Sequence, residues 1–209
     1  RAIAESGGWM GLQMNRMRQA SAAEADGVKG MEALKVWRLA EVRGKALNEL
    51  AIQGQSGLVI DGYLIPEDTS LTFQSGKQNA VDVLTGSNKD EANFGVCGGG
   101  GGRGGGPAIT AEVFKTNAQR KFGEAADEYV KLYGVTADAE AQPAAHVACA
   151  DEINWNMRQW AVAQAKAGKK AYTYFFTRIP TINGGPSPQG ATHTAEICYA
   201  WNNPKGEAT

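Results

Sequence analysis

Short apolar runs alternate with longer amphipathic stretches along this chain of 209 residues. The runs at 58–60, 80–84 and 171–176 have the length and the aromatic or β-branched content of buried strands. From 144 to 167, apolar residues recur at helical spacing, and Gly168 supplies a stop. Strands that alternate with helices favour an α/β fold with a largely parallel sheet, because parallel neighbours need a crossover that a helix can supply.

Local signals predict further elements between these runs. The serine-to-glutamate spacing at 21–24 has the form of a capping box that opens a helix. A second helix is expected over 37–51, with Trp37 as a packing anchor. The pair at 61–62, Asp-Gly between two apolar runs, favours a tight hairpin, and Thr110 is expected to cap a later helix.

The composition is that of an ordinary globular protein, with 43% hydrophobic residues, 21% charged residues and a formal charge of −1. Lysine and arginine are scattered singly, which argues against a nucleic-acid partner, and no apolar run is long enough to span a bilayer. Cys97, Cys149 and Cys198 allow one disulfide in any of three pairings, and their spacing matches no zinc site. A secreted or periplasmic setting is favoured over the cytoplasm.

The chain contains two histidines, and His193 follows a loop rich in glycine and proline after the run at 171–176. A histidine can act as a catalytic base because its pKa lies near neutrality, provided that a carboxylate orients it. Asp90 and Glu91 lie in a polar turn after the run at 80–84, and α/β proteins build their sites at that edge of the sheet. Composition alone would assign both acids to a solvated loop.

Four sequence blocks carry a family resemblance. They occur in order and at family-like spacing, which makes the set more specific than any single block. They are Arg-Ala-Ile-Ala-Glu-Ser-Gly-Gly at 1–8, Val-Ile-Asp-Gly at 59–62, Gly-Ser-Asn-Lys-Asp-Glu-Ala-Asn-Phe at 86–94 and Gly-Ala-Thr-His-Thr-Ala-Glu-Ile at 190–197. With these blocks the chain resembles the type-B carboxylesterases, the cholinesterase-like branch of the α/β-hydrolases.

The resemblance implies the α/β-hydrolase fold, of which this chain would form the later strands and helices of a mostly parallel sheet. It implies a carboxylic ester hydrolase that works through an acyl-enzyme, with no metal and no cofactor. Glu91 would be the triad acid and His193 the triad base, and Asp90 would then be structural. A buried hydroxyl near the acid, a further supporting carboxylate and two pocket-lining aromatic residues are also implied; they are Ser6, Glu196, Trp9 and Phe94.

In that family a Gly-x-Ser-x-Gly nucleophile elbow precedes the block at 1–8, and the oxyanion loop lies earlier still. The resemblance therefore implies that residues 1–209 belong to a longer domain that continues upstream and downstream. The implied partners are a small ester substrate and the remainder of the same enzyme, which would supply the serine. Two residues depart from the family pattern, in which glycine usually follows the acid and the base; they are Ala92 and Thr194.

Several alternative interpretations stay open. Ser6 lies in a degenerate elbow and could be a nucleophile, although Ala4 stands where the motif has glycine. The stretch at 98–106, eight glycines and Arg103, is typical of a flexible loop at a pocket rim, where the arginine would suit an anionic substrate. His146 is typical of a packed or solvent-edge histidine on a helical stripe. An inactive esterase-like binding or adhesion domain is the competing class, and such domains commonly lack the acid or the histidine.

Overall fold

The structure is a computed structural model of the chain, and it describes residues 1–5, 17–50, 58–91, 108–182 and 184–202. Its strands are β1 (Ala2–Ala4), β2 (Arg18–Gln19), β3 (Val59–Ile60), β4 (Val83–Asn88), β5 (Ala171–Phe176), β6 (Thr181–Ile182) and β7 (Gly185–Pro186). Its α-helices are α1 (Ala20–Ala33), α2 (Leu39–Arg43), α3 (Thr69–Gln74), α4 (Ala111–Phe122), α5 (Ala126–Leu132), α6 (Asp138–Lys166) and α7 (Ile197–Ala200). Single 3₁₀ turns span Leu47–Leu50 and Gly123–Ala125.

A three-stranded parallel sheet positions the rest of the described chain. Its strand order is β1-β4-β5, with Ala2 opposite Val83 and Val83 opposite Ala171. The strands β2 and β3 form a separate parallel pair, whereas β6 and β7 pair antiparallel. The predicted α/β class with a mostly parallel sheet is confirmed, and the predicted strand at 171–176 matches β5 residue for residue.

The long helix α6 connects the α4–α5 segment to β5 and packs against β4 and β5. Its side chains Met157 and Ala161 are buried at this contact. Two hydrogen bonds from glutamine side chains join α6 to the segment that precedes β4. The Nε2 of Gln164 donates to the carbonyl of Asn79 at 3.0 Å, and the Nε2 of Gln78 donates to the carbonyl of Ala163 at 3.2 Å. The starting point of the central strand is therefore set by side-chain bonds as well as by apolar burial.

A second core lies between α4, α5 and α6. The ring of Phe114 stacks on Tyr129 with 5.7 Å between centroids, and buried Val135 and Ala141 pack in the same cluster. The helix α4 begins at its predicted cap, because the Oγ1 of Thr110 accepts the N–H of Val113 at 3.2 Å. This helical layer fills the crossover from β4 to β5, as a parallel pair requires.

The helix predicted over 37–51 is wrong in its extent. Only α2 and the 3₁₀ turn Leu47–Leu50 form there, and Ala51 lies outside the described residues. The carboxylate of Glu41 accepts the N–H groups of Trp37 at 2.7 Å and Arg38 at 3.2 Å, which makes α2 begin after both residues. Trp37 is 73% exposed, so the prediction that it anchors packing is also wrong.

Three other local predictions need correction. The helix α1 begins at Ala20, and Gln19 precedes it without a side-chain cap, so Ser21 caps nothing. No hairpin forms at 61–62, because β3 pairs with β2 and the Asp61 carboxylate instead accepts the N–H groups of the turn that follows. The strand predicted at 80–84 is shifted, since β4 begins at Val83 and continues through the polar residues to Asn88.

The structure describes two of the three cysteines but not the glycine-rich stretch. Cys149 is disulfide-bonded and Cys198 carries a free thiol, whereas Cys97 lies outside the described residues. The glycine-rich stretch at 98–106 also lies outside them. No helix in the described part of the chain is long and apolar enough to cross a membrane.

The glycine at the middle of β4 provides a test of the sheet packing. Gly86 lies opposite Tyr174, and a Cβ at Gly86 would lie 2.3 Å from the Tyr174 carbonyl oxygen and 2.5 Å from its ring. We expect Gly86→Ala to lower the free energy of unfolding of the full-length protein by about 1–3 kcal/mol, the usual cost of overpacking. Urea denaturation followed by circular dichroism would measure it.

A matched control is Gly27→Ala in α1, where an added Cβ meets nothing within 4 Å. This change should raise the free energy of unfolding by up to about 1 kcal/mol, because alanine is the better helix former. Equal effects of the two substitutions would contradict the close approach of Tyr174 to Gly86.

Candidate active site

Glu91 and His193 meet at the carboxyl end of the parallel sheet. Glu91 lies three residues after the end of β4, and His193 lies in the loop that follows β7. The His193 Nδ1 and the Glu91 Oε2 are 2.6 Å apart, which is hydrogen-bonding distance. The structure thus brings together two residues that are 102 positions apart in the sequence.

Glu91 is 2% exposed, and both of its carboxylate oxygens have partners. The Oε1 atom accepts the backbone N–H of Asn88 at 2.8 Å, while Oε2 contacts the imidazole. A buried carboxylate needs such partners, because its removal from water would otherwise be strongly unfavourable. The side chain of His193 keeps 25% of its surface exposed. The imidazole is therefore anchored from inside the protein and open on its other side.

Asp90 joins the loop after β4 to the loop that carries His193. Its backbone N–H donates to the carbonyl of Ala191 at 3.1 Å, and its Oδ2 accepts the N–H of Ala191 at 2.7 Å. Gly190 has a φ of 69°, and a Cβ there would lie 2.2 Å from the Asp90 Oδ2. Only glycine allows the Asp90 carboxylate to reach this loop. Asp90 thus binds the backbone of the histidine loop, and Glu91 is the acid that contacts the imidazole.

Asn88, the last residue of β4, makes contacts that the sequence did not indicate. Its Nδ2 donates to the carbonyl of Thr192 at 2.7 Å and to the carboxylate of Glu196. Asn88 is 1% exposed and Glu196 is 6% exposed, so both are buried polar side chains. Glu196 therefore contacts Asn88, and its charge acts on His193.

The electrostatics of the site favour a charged imidazole. The pKa of His193 is raised above 6.5, first by its hydrogen bond with Glu91 and further by the charges of Glu91 and Glu196, while burial opposes the rise. Tyr174 lies near the same acids, and burial together with Glu196, Glu5 and Glu91 raises the pKa of its hydroxyl. No sequence motif marks Tyr174, which is one of several aromatic residues in the strand at 171–176.

Some of the other residues named from the sequence are described by the structure, and some lie outside its described ranges. Thr194, at the position where the resembling family has glycine, has a φ of 73°. His146 lies in α6 with its Nε2 2.8 Å from the Nε2 of Gln142, one helical turn away. Within the described ranges, no group of three or more His, Cys, Asp or Glu could hold a metal ion. Four residues named from the sequence lie outside those ranges; they are Ser6, Trp9, Ala92 and Phe94.

Comparisons with known proteins bear on the fold of the chain. No protein-family model matches the chain. The fumonisin B1 esterase of Sphingopyxis macrogoltabida is 25% identical over 182 residues, which are 87% of this chain and 32% of that enzyme. The chain thus spans about a third of the length of this curated relative.

Solved structures show the same fold. Two structures of PNB esterase superpose with TM-scores of 0.68 and 0.63 at 18% and 17% identity. They cover 91% and 93% of this chain, which in turn covers 40% and 42% of theirs. The predicted α/β-hydrolase fold is thereby confirmed.

The backbone at Thr194 generates a prediction about stability. A β-branched residue with positive φ is strained by about 1–3 kcal/mol, and glycine removes that strain at some cost in chain entropy. We expect Thr194→Gly to raise the free energy of unfolding by about 1 kcal/mol, measured by urea denaturation of the full-length protein. Thr116→Gly, at an exposed helical position of α4, should lower it instead. A loss of stability in both variants would contradict the strained conformation of Thr194.

The raised pKa of His193 generates a second prediction. In Glu91→Gln the charge and the anionic hydrogen-bond acceptor are removed, so the pKa of His193 should fall below its wild-type value. An NMR titration of the imidazole would measure both values. Glu112→Gln in α4 is the control and should leave the titration unchanged.

The same shift has a consequence for stability. Because the folded-state pKa of His193 is raised, the contact between the protonated imidazole and Glu91 stabilises the fold fully below pH 6.5. This contribution disappears as the pH rises through the folded-state pKa of His193. Glu91→Gln should therefore cost more stability at acidic than at alkaline pH. If the loss of stability in Glu91→Gln were the same below pH 6.5 and above the folded-state pKa of His193, the raised pKa of His193 would be contradicted.

Proposed function

We propose, from the premise that this chain belongs to the type-B carboxylesterase family of α/β-hydrolases, that the whole protein hydrolyses carboxylic esters with a Ser-Glu-His triad. Glu91 and His193 would be two members of that triad. The observation that carries this proposal is the 2.6 Å contact between the His193 Nδ1 and the buried carboxylate of Glu91. The same order of acid and histidine occurs in α/β-hydrolases.

The two ring nitrogens of His193 have different roles in this proposal. A carboxylate at Nδ1 favours the tautomer that carries its proton there, which leaves Nε2 free to accept a proton. Glu91 also stabilises the imidazolium that forms when Nε2 is protonated, in keeping with the raised pKa of His193. The partly exposed ring lets Nε2 reach a nucleophile and a substrate.

The serine and the oxyanion donors would come from the part of the polypeptide outside these 209 residues. Two features of the sheet support this proposal. First, β1 runs parallel to β4 and β5, so all three strands end at the edge where the candidate pair lies. Second, β1 is an edge strand of the described sheet and Ile3 in it is 64% exposed, so a further strand could pair with it.

The proposed reaction has two half-reactions. In the first, the serine oxygen attacks the ester carbonyl, its proton passes to Nε2 of His193, and the same proton is then given to the departing alcohol. In the second, His193 takes a proton from water, the resulting hydroxide attacks the acyl-enzyme, and the proton returns to the serine as the acid is released. Glu91 holds the imidazole in place in both half-reactions.

The disulfide at Cys149 supports a proposal about the compartment. Disulfides persist in secreted and periplasmic proteins and are rare in the reducing cytoplasm. We therefore propose that the protein functions in an oxidising compartment on small-molecule esters that reach it there.

Replacement of the candidate base tests the proposed function. In the full-length protein, His193→Ala should lower kcat for a simple activated ester such as p-nitrophenyl butyrate by roughly a million-fold, as single triad knockouts do in serine hydrolases. His146→Ala is the matched control and should keep wild-type turnover. Thermal denaturation of both variants would show that they fold.

Two outcomes would count against the proposal. If His146→Ala abolished turnover while His193→Ala retained it, the wrong histidine would have been chosen. If the wild-type protein hydrolysed no ester, the esterase-like binding or adhesion domain would be the better interpretation.

A further inference from the structure

We propose that Asn88 is a positioning residue that holds the loop of the acid and the loop of the histidine in the one register in which Glu91 reaches His193. This inference rests on the proposed ester hydrolysis. It assigns a function to a residue that contacts neither of the reacting nitrogens of the imidazole and that would act through its neighbours.

Asn88 forms hydrogen bonds with Glu91 and with two residues near His193 in the sequence, Thr192 and Glu196. Its backbone N–H donates to Glu91 Oε1 at 2.8 Å, on the oxygen that the imidazole does not use. Its side-chain Nδ2 donates to the carbonyl of Thr192 at 2.7 Å and to the carboxylate of Glu196. Thr192 immediately precedes His193 and Glu196 lies three residues after it. One side chain therefore anchors the histidine loop on both sides of the base.

The loop between Thr192 and Glu196 is strained, so it needs contacts on both sides to keep its conformation. Thr194 lies between them with a φ of 73°, a conformation that a β-branched residue rarely adopts. Such a backbone persists only where surrounding contacts determine it. The amide of Asn88 supplies two of those contacts from the rigid end of the central strand, where the residue is 1% exposed.

The chemistry of the position requires an amide. Both side-chain partners, a carbonyl oxygen and a carboxylate, accept hydrogen bonds, and the NH₂ group of asparagine has one proton for each. An aspartate of the same shape has no donor when ionised and would add a third carboxylate beside Glu91 and Glu196. A serine has a single proton and could serve only one of the two acceptors.

The test compares substitutions of Asn88 in the full-length protein with a buried polar residue of the same strand. Asn88→Ala removes both donors, and Asn88→Asp removes them while keeping the shape, so it serves if the alanine variant does not fold. Thr85→Val is the control, because Thr85 is fully buried in β4 and its Oγ1 has no hydrogen-bond partner among the described residues. Glu196→Ala removes one anchor while leaving Asn88 in place, and it tests the inference even if neither Asn88 variant folds.

We expect both Asn88 variants to lose about a hundred-fold in kcat on an activated ester with KM changed little, because misplacement of a catalytic group by about 1 Å costs that much. Glu196→Ala should lose about ten-fold, and Thr85→Val should match the wild type. The acidic limb of the kcat/KM profile should also move to lower pH in Asn88→Ala, since a looser contact with Glu91 lets the pKa of His193 fall, whereas the added carboxylate of Asn88→Asp opposes that fall. A smaller folded fraction would lower the rate without moving that limb.

The outcomes separate this inference from the function on which it rests. A wild-type protein without esterase activity would overturn the proposed function itself. An active wild type that is inactivated by His193→Ala, together with folded Asn88 variants that keep wild-type kcat and pH profile, would overturn only the role of Asn88. Loss of turnover in Thr85→Val equal to that in the Asn88 variants would overturn it as well, because any buried polar residue of β4 would then have the same effect.

Discussion

The hydrogen bond between His193 and the buried carboxylate of Glu91 is the contact on which the described site depends. A carboxylate with 2% exposure is unfavourable by several kcal/mol unless nearby groups replace its water. The imidazole and the backbone N–H of Asn88 are those groups, one on each oxygen. The same arrangement that makes burial of Glu91 tolerable also orients His193 and raises its pKa. The contact between His193 and Glu91 therefore both stabilises the fold and serves the proposed chemistry.

The central strand explains why this contact can form where it does. Parallel pairing brings the carboxyl ends of β4 and β5 to one edge, so the acid follows one strand and the histidine loop returns beside it. Asp90 and Thr192 continue the parallel pairing by one bridge beyond the sheet. This bridge extends the rigid register of the strands into the loops. The site is thus an extension of the sheet and not a meeting of two free loops.

Close packing beneath the site depends on the absence of one side chain. Gly86 leaves space into which the ring of Tyr174 fits, and this ring carries its hydroxyl toward Glu5, Glu91 and Glu196. A neutral hydroxyl among carboxylates stays protonated, since burial and those charges raise its pKa. Tyr174 therefore adds a polar but uncharged group near these acids. Among the described residues, the site combines acidic groups with the basic ring of His193.

The sequence by itself determined the class of fold and the identity of the two candidate residues. Strand and helix periodicities are local, so β5 and the cap at Thr110 could be read directly, and the motif around Glu91 and His193 marked the pair. Local signals failed where a side chain from elsewhere in the same loop competed. The Glu41 carboxylate shortened the helix predicted at 37–51, and the Asp61 carboxylate organised a turn in place of a hairpin.

Only the tertiary structure showed that Asn88 contacts Glu91 and the loop of His193. Asn88 has partners 104 and 108 positions away, and no pattern of neighbouring residues encodes such a separation. The contact of His193 with Glu91 likewise depends on the register of two parallel strands, which the helical crossover α6 sets. Hydrogen bonds between distant segments arise from how strands pair and helices pack. Residue type tells which groups can bond, and packing alone brings them within reach.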